Sequence, residues 1–541
     1  MSITRDALQT VLTNITANLW EKRTGTGNGY TNVAWPTASV TATLTVDYYD
    51  NYANIPGLPV AYKVTSGVSK MTNGLPTAKK VAVLNTPANM LWNVMYYDDL
   101  GRNKKSYAQH YLGGVLDTLK FDVNSTTYDF TNAPTTITRQ HFISAGATPS
   151  VTIVNQYIYD HMGRKLKTWE QITNGTTATT KTLLSKIEYN EIGQVLNKRL
   201  HSTDSISFYQ KIAYTYNERG WLLGSSAPLF AMQLYYNTGA NKQYNGNIAY
   251  QYWGTPGSLT NNYTYTYDKL NRLTGGISND NYKEQNIAYD LMGNITALQR
   301  YQAGTLIDNL AYTYGSTNQL QSINDATASD LGLKHGTSAF TYDGNGNLKT
   351  DPTKAATGIT IGYNLLNLPQ AITGGKTITY TYDALGNKLR RSSTATNNTD
   401  YINGIQYDGS TTPALTFIQT EEGRARPNGA SAYTYEYDLA DHLGNTRLTF
   451  NTTQTTQKDD YYPFGMEISR GAIVGAKNEY LYNKKELQEE LGEYDYGARF
   501  YDPVVGRFIT VDPVAEHFPW MTSYQYASND PIKNKIGRAH V

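Results

Sequence analysis

The sequence predicts an all-β protein made of many copies of one strand–turn–strand unit. Three observations support this class: a high content of Tyr, stretches in which aromatic and polar residues alternate, and a short turn motif that recurs along the chain. The 541 residues include 47 Tyr and 45 Gly, and only 17% of residues are charged. Tyr and β-branched residues favour strands, and the low charge argues against a disordered chain. The length would suit roughly three or four ordinary domains, but a single domain built from many repeats can also reach this length.

The turn motif is a Tyr-Asp pair, then two variable residues, then Gly-Arg or Gly-Asn. Clear copies begin at Tyr97, Tyr159, Tyr289, Tyr342 and Tyr382, and degenerate copies begin at Tyr189, Tyr216, Tyr267 and Tyr363. An Asp or Asn side chain can accept a hydrogen bond from the backbone two residues on, and the following Gly or Asn tolerates positive φ. The motif therefore predicts a hairpin turn between two strands.

The strands beside these turns carry one aromatic face. Residues 263–267 and 433–437 alternate Tyr with Thr or Glu, which is the period-2 pattern of a strand. A single hairpin of this size is unstable in water, so we expect the units to pair into one continuous antiparallel sheet. The Tyr faces either line the inner side of this sheet or form platforms that stack sugars. The one helix is expected over residues 484–491, where strong helix formers run up to Gly492.

Composition and motifs exclude several classes of function. The net charge of +1 provides no field that attracts nucleic acid. The absence of Cys excludes disulfides and thiolate chemistry. No apolar run of about 18 residues predicts a membrane span, and residues 1–19 show no signal peptide.

Motifs of common active sites are also missing. No zinc-peptidase, nucleophile-elbow or dinucleotide motif is present, so we expect no independent enzyme, no cofactor and no metal. Asp343 begins a run that suggests a calcium loop. That interpretation is disfavoured because Leu348 and Lys354 stand where the loop requires Gly and Glu.

The C-terminal part of the chain carries motifs that differ from those of the repeats. Its four motifs occupy residues 438–447, 460–465, 494–503 and 506–513, and the third reads Tyr-Asp-Tyr-Gly-Ala-Arg-Phe-Tyr-Asp-Pro. In this order and spacing the motifs resemble the core domain of the rearrangement-hotspot (Rhs), or YD-repeat, family, and the upstream Tyr-Asp units resemble the repeat of that family. The likeness covers about residues 90–534. It implies an antiparallel β-sheet that spirals into a hollow shell, a β-cocoon, closed by the core domain.

The resemblance also implies a domain order and a function. Residues 1–89 would begin the shell, residues 90–430 would form its repeats, and residues 431–535 would form the core domain that plugs it. Bacterial relatives enclose a variable C-terminal toxin. The resemblance therefore implies a secreted or cell-surface scaffold of a polymorphic toxin system, with a toxin cargo in cis that is missing from this chain. Secretion machinery and cell-surface glycans would be further partners. The alternative is a carbohydrate-binding or adhesive surface protein that uses exposed Tyr faces.

One candidate site residue follows from the resemblance. Asp512, followed by Pro513, stands at the first Asp-Pro-x-Gly motif of an aspartyl-type self-cleavage in many relatives, although Ala515 replaces the Gly. Aspartyl chemistry requires two carboxylates that share a proton. The second Asp is expected near position 536, but residues 536–541 match the translation of a common sequencing adapter, and Asp530 is expected to be a turn residue. We therefore expect no competent self-cleavage in this chain.

Overall fold

The computed structural model describes residues 5–15, 18–35, 41–429 and 431–537. Strands account for 47% of the residues and helices for 4%, which confirms the all-β class. None of the helices in this described part of the chain is long and apolar enough to cross a membrane. Residues 538–541 of the adapter-like tail lie outside the described residues.

The first sheet has 22 described strands. They are β1 (Thr45–Tyr49), β2 (Pro76–Val83), β3 (Thr86–Tyr97), β4 (Asn103–Gln109), β5 (Phe121–Tyr128), β6 (Pro134–Phe142), β7 (Val151–Tyr159), β8 (Lys165–Asn174), β9 (Thr177–Ala178), β10 (Thr182–Tyr189), β11 (Val195–Ser202), β12 (Gln210–Tyr216), β13 (Leu222–Ala227), β14 (Phe230–Tyr235), β15 (Tyr250–Thr255), β16 (Ser258–Tyr267), β17 (Leu273–Ser278), β18 (Lys283–Tyr289), β19 (Ile295–Gln302), β20 (Thr305–Tyr314), β21 (Leu320–Asp325) and β22 (Gly336–Ala339).

The second sheet has 14 described strands. They are β23 (Thr341–Tyr342), β24 (Leu348–Asp351), β25 (Ile359–Tyr363), β26 (Pro369–Thr373), β27 (Ile378–Tyr382), β28 (Lys388–Ser393), β29 (Thr399–Ile402), β30 (Ile405–Tyr407), β31 (Leu415–Thr420), β32 (Gly423–Pro427), β33 (Tyr433–Ala440), β34 (Thr446–Phe450), β35 (Thr455–Tyr461) and β36 (Glu467–Ser469).

The third sheet is small and C-terminal, with four described strands. They are β37 (Glu486–Gln488), β38 (Glu493–Asp495), β39 (Phe500–Asp502) and β40 (Arg507–Phe508). The helix α1 (Arg5–Thr13) precedes the sheets, and short 3₁₀ helices cover Val60–Tyr62, Leu112–Gly114, Tyr482–Lys484, Ala515–His517 and Ala527–Asn529.

Consecutive strands pair antiparallel along both large sheets, except that β10 pairs with β8 and not with the two-residue strand β9. For example, β16 pairs with β17, β17 with β18 and β18 with β19. The first ladder ends where β22 pairs back with β21, and the second begins where β23 pairs forward with β24. The expected continuous sheet is thus divided into two at Phe340. The extended stretch 336–342 pairs with β21 through its first part, β22, and with β24 through its last part, β23.

The repeat turns have the geometry that the motif predicts. Asp383 Oδ1 accepts hydrogen bonds from the backbone N–H groups of Leu385 and Asn387, both at 2.9 Å. Asn387 Nδ2 donates to Asp383 Oδ2 at 2.9 Å, and Gly386 has a φ of +81°. Asp343, the calcium-loop candidate, makes the same set of bonds within its own turn. The motif Asp is therefore a turn residue with both oxygens engaged.

In most units the motif Tyr couples the unit to the one before it. Its hydroxyl donates to a backbone carbonyl at the start of an earlier strand, as Tyr289 does to Leu273 O at 2.6 Å. The same bond occurs at Tyr159, Tyr189, Tyr216 and Tyr363, and Tyr314, which lies at the end of β20 outside the motif copies, makes the equivalent bond. Where a repeat turn ends in Arg, the Arg can lie over the motif Tyr of the next unit: Arg164 is 4.6 Å from the ring centre of Tyr189, and Arg272 is 4.5 Å from that of Tyr289. These contacts provide the nearest-neighbour coupling expected of a repeat protein.

The Tyr faces point into an interior shared by the two large sheets. Tyr263 and Tyr380 are buried. The sheets contact each other across this interior, where His141 Nε2 lies 2.9 Å from the Tyr407 hydroxyl. They form the expected antiparallel shell, and a cavity of about 510 Å³ remains between β2–β4 and β28–β29.

The structure contradicts the predicted helix over residues 484–491. Residues 486–488 form β37, which pairs with β38. Lys388 Nζ donates to Glu486 at 2.5 Å, and the Tyr380 hydroxyl donates to Gln488 Oε1 at 2.9 Å. These tertiary contacts favour a strand and outweigh the helix propensity of the segment. The helix α1, in contrast, was not predicted.

Candidate functional site

The C-terminal block, residues 486–537, carries β37–β40 and lies between the two large sheets. Tyr494, Phe500 and Tyr501 are fully buried in it. The rings of Tyr501 and Tyr526 stack with their centres 3.8 Å apart. The block is therefore a packed core inside the shell, not a surface appendage.

A buried cation anchors this block to the first sheet. Arg300 on β19 is fully buried and pairs with Glu284 on β18 at 2.8 Å and with Asp308 on β20. Its Nη2 also donates to the carbonyl oxygen of Val504 in the block at 3.0 Å. Burial lowers the pKa of Arg300, but Asp308 and Glu284 outweigh burial and the pKa is raised. Burial raises the pKa of Glu284, with Arg300 opposing it. The guanidinium thus stays charged at this contact.

A second cation, Arg507 on β40, reaches from the block to the first sheet. Its Nη1 donates to the Tyr314 hydroxyl at 2.7 Å, and its Nη2 donates to Asn318 O at 2.6 Å. Asn529 Nδ2 donates to the carbonyl oxygen of Gly293, a repeat-turn glycine, at 2.7 Å. The block therefore bonds directly to the turn ends of the repeats.

The block is held to the second sheet by Lys388 on β28. Its Nζ pairs with Glu486 at 2.5 Å and with Asp495 at 2.7 Å. The Tyr401 hydroxyl donates to Glu486 Oε1 at 2.7 Å. Burial lowers the pKa of Lys388, but Asp495 and Glu486 outweigh burial and the pKa is raised. Charged contacts thus clamp the block from both sides.

Asp512, the candidate from the sequence, lies after β40 and is buried. Its Oδ2 is 2.8 Å from Nη2 of Arg499, and its Oδ1 accepts the N–H of Val514 at 2.9 Å. Its own N–H donates to Ser523 O at 2.9 Å, and its carbonyl accepts the N–H of Ala515 at 3.0 Å. Burial lowers the pKa of Arg499 to about 10, with Asp512 opposing it. Asp512 is therefore a firmly held, ion-paired carboxylate.

Asp530 has different surroundings. It is buried, its N–H donates to Ala527 O at 2.9 Å, and its Oδ1 accepts the N–H of Lys533 at 3.3 Å. Burial raises the pKa of Asp530 to about 6, with Lys533 opposing it. Ile536, where a second Asp was expected, is buried in the hydrophobic core. Asp512 is thus paired with an arginine, while Asp530 is held in its own turn.

Two arginines of this region were not singled out from the sequence. Arg499 belongs to the third C-terminal motif, and a motif Arg close to a motif Asp was the available signal. Arg300 had no such signal, because an inward-facing charge on a strand has the same local pattern as an outward-facing one. Only the packing of β18–β20 against the block distinguishes the two cases.

Comparisons with known proteins were made for the sequence and for the fold. The family described as Teneurin YD-shell matches residues 258–402. Salivary gland surface protein 1 of Aedes aegypti is 38% identical over 95 residues, which are 17% of this chain and 3% of that protein. The tRNA nuclease WapA of Bacillus subtilis (strain 168) is 24% identical over 281 residues, which are 50% of this chain and 11% of that protein. The chain thus spans a small fraction of the length of these relatives.

The fold matches a solved toxin structure over nearly the whole chain. A Photorhabdus luminescens Tc holotoxin pore superposes with a TM-score of 0.64 at 16% identity. The match covers 91% of this chain and 26% of that chain. At this identity the likeness concerns the fold alone.

Proposed function

This chain is a YD-repeat protein of the Rhs type, and on that premise we propose that it is the scaffold of a polymorphic toxin system. Residues 1–430 supply wall, and residues 431–535 form the core domain, in which β33–β36 continue the second sheet and the part from residue 486 onward plugs the shell. The scaffold encloses and presents a variable toxin cargo that is attached in cis. It is a container and not an independent enzyme, and it acts outside the cell or at the cell surface. Secretion machinery and cell-surface glycans are the further partners in this proposal.

The observation that carries the proposal is the direction of the Tyr faces. Tyr263 and Tyr265 are buried, and the Tyr265 hydroxyl donates to Gln251 Oε1 at 2.9 Å inside the shell. Rings buried in this way do not serve as outer platforms for sugars. A Tyr-lined interior suits a wall, because the rings pack against one another, as Tyr263 and Tyr265 do with their centres 5.6 Å apart. The container is therefore favoured over the adhesive surface protein.

One cavity lies beside the C-terminal block. The cavity between β2–β4 and β28–β29 measures about 510 Å³, which is the size of a small-molecule site. The block fills the space beside it.

For cargo release we propose that Asp512, held by Arg499, is one half of an aspartyl pair. The second carboxylate would come from the continuation of the chain at its own locus. The pair would share a proton, so that one carboxylate activates water while the other protonates the carbonyl of the cleaved bond. Arg499 positions Asp512 through the 2.8 Å contact.

The experiment uses the chain extended by the continuation encoded at its locus. The extension should resist limited proteolysis while it is attached, and mass spectrometry should detect a released C-terminal fragment. Asp512→Asn should leave the fragment attached in a folded protein, whose melting temperature falls because buried Arg499 loses its counter-ion. The control Asp530→Asn should still release it. Release that survives Asp512→Asn would remove Asp512 from the mechanism. If the attached extension is digested as fast as the same peptide in isolation, the proposal that the chain is a container is overturned.

A further inference from the structure

Three buried carboxylates meet where the C-terminal block contacts the second sheet. Asp351 lies on β24 of the shell, whereas Glu493 and Asp502 lie on β38 and β39 of the block. One carboxylate oxygen from each residue lies within 4.8 Å of the other two. All three residues are at most 2% exposed. The cluster therefore joins shell and block in a place that excludes water.

The charge of this cluster is not balanced by the protein. Lys354 Nζ contacts Asp502 Oδ2 at 2.6 Å. Three carboxylates and one ammonium group leave a net charge of −2 when all are ionised. Burial of uncompensated charge is costly unless a proton or a bound cation neutralises it. Burial raises the pKa of Glu493 to about 8, with Lys354 opposing it.

Two of the carboxylates are oriented by bonds outside the cluster. Asp351 Oδ1 accepts the N–H and the hydroxyl of Thr353 at 2.8 and 2.6 Å. Asp502 Oδ1 accepts the N–H groups of Val504 and Val505 at 2.8 and 3.1 Å. Each residue thus uses one oxygen to hold its position and turns the other toward the cluster, as supporting bonds do for metal-binding carboxylates.

Glu493 supplies the observation that points to a ligand. Neither of its carboxylate oxygens has a hydrogen-bond partner, although the side chain is 1% exposed. Native proteins rarely leave a buried carboxylate in this state. A cluster of oxygen ligands with a charge of −2 matches a hard divalent cation, and Ca²⁺ accepts bidentate carboxylates at flexible geometry.

We propose that Asp351, Glu493 and Asp502 bind one divalent cation, with Ca²⁺ preferred over Mg²⁺. The ion would neutralise the cluster and tie β24 of the shell to β38 and β39 of the block. This site is distinct from the loop at Asp343, whose carboxylate oxygens are used within its own turn. It is also independent of cargo release, because Asp512 is not part of it.

The test measures the stability of the whole chain with and without the ion. After dialysis against EDTA at pH 7.5, CaCl₂ should raise the melting temperature by an amount that grows with the logarithm of its concentration. MgCl₂ should produce a smaller shift. Isothermal titration calorimetry with CaCl₂ should give one site per chain. Terbium luminescence, sensitised by nearby Tyr rings, should show the same stoichiometry.

Glu493→Gln should abolish the CaCl₂-dependent shift and weaken Ca²⁺ binding by about tenfold or more. The control Glu516→Gln removes the same charge from a side chain that is 87% exposed, and it should retain the full shift. Should Glu493→Gln fail to fold, Asp351→Asn is the second variant, with the same expected loss. A full CaCl₂ shift in either folded variant would overturn the site.

The competing occupant is a proton on Glu493. In that case CaCl₂ would shift the melting temperature at no pH between 6 and 9. The wild type, but not Glu493→Gln, would lose stability as the pH rises through about 8. A carboxyl whose pKa is raised by folding stabilises the folded state only while it is protonated. Such a result would overturn the cation proposal.

Discussion

Replacing Arg300 by Met is expected to loosen the C-terminal block from the first sheet. Met retains much of the buried volume but removes the charge, so Glu284 and Asp308 remain buried without their counter-ion. Removing one partner of a buried ion pair costs roughly 3–5 kcal/mol. The lost hydrogen bond to Val504 O adds about 1 kcal/mol. The free energy of unfolding should therefore fall by about 4–6 kcal/mol.

Two measurements check this prediction. Urea denaturation gives the overall loss, and limited proteolysis reports local opening of the block, because a chain of this size can unfold in steps. Arg300→Met should expose cleavage sites within residues 486–537 first. The matched control is Arg219→Met, which removes a guanidinium from an exposed turn. That control should cost less than about 0.5 kcal/mol.

A third variant separates charge from packing. Arg300→Met combined with Glu284→Gln and Asp308→Asn should recover part of the lost stability, because the stranded charges are removed. No recovery would assign the cost to packing. An Arg300→Met protein within about 1 kcal/mol of the wild type, with unchanged proteolysis of the block, would refute the anchoring role.

Four further predictions concern single positions. Asp383→Ala should lower the free energy of unfolding by about 1 kcal/mol, because the hydrogen bonds of its turn are lost. Gly386→Val should lower it by more, because φ is +81° at that position. The urea midpoint, at an unchanged slope of the unfolding transition, tests both variants, and ligand binding should not change. Tyr289→Phe should lower the free energy of unfolding by about 1 kcal/mol, because the hydrogen bond to Leu273 O is lost. Equal stability of the variant and the wild type would contradict this prediction. Asp530 has a pKa of about 6 in the folded protein against an ordinary 3.8, so its stabilisation is complete below pH 3.8 and is lost as the pH rises through 6. Between pH 4 and 7 the wild type should lose up to about 3 kcal/mol relative to Asp530→Asn, and parallel pH profiles in thermal melts would contradict this.

The turns and strands could be predicted from the sequence because their causes are local. Asp383 bonds to backbone groups two and four positions on, and the alternation at residues 263–267 reflects the geometry of a single strand. The inward direction of the Tyr faces was one of two open interpretations. The bond from Tyr289 to Leu273 O was not anticipated, since it depends on how neighbouring units pair.

The candidate site was predictable only in part. Asp512 followed from a motif, but its partner Arg499 was identified by the 2.8 Å contact in the structure. The proposed cation cluster had no signal in the sequence. Lys354 entered the sequence analysis only as a mismatch to a calcium loop, whereas the structure places it against Asp502.

The sequence by itself determined the β class, the positions of the turns and the aromatic face of the strands, because these depend on residues within a few positions of one another. Only the tertiary structure decided that Glu486 lies on a strand, that Arg300 is buried and that Asp351 meets the C-terminal block. Arg300 and Val504 are 204 positions apart. Contacts of that separation depend on how the sheets close around the block, and the burial they create decides both local conformation and the cost of each charge.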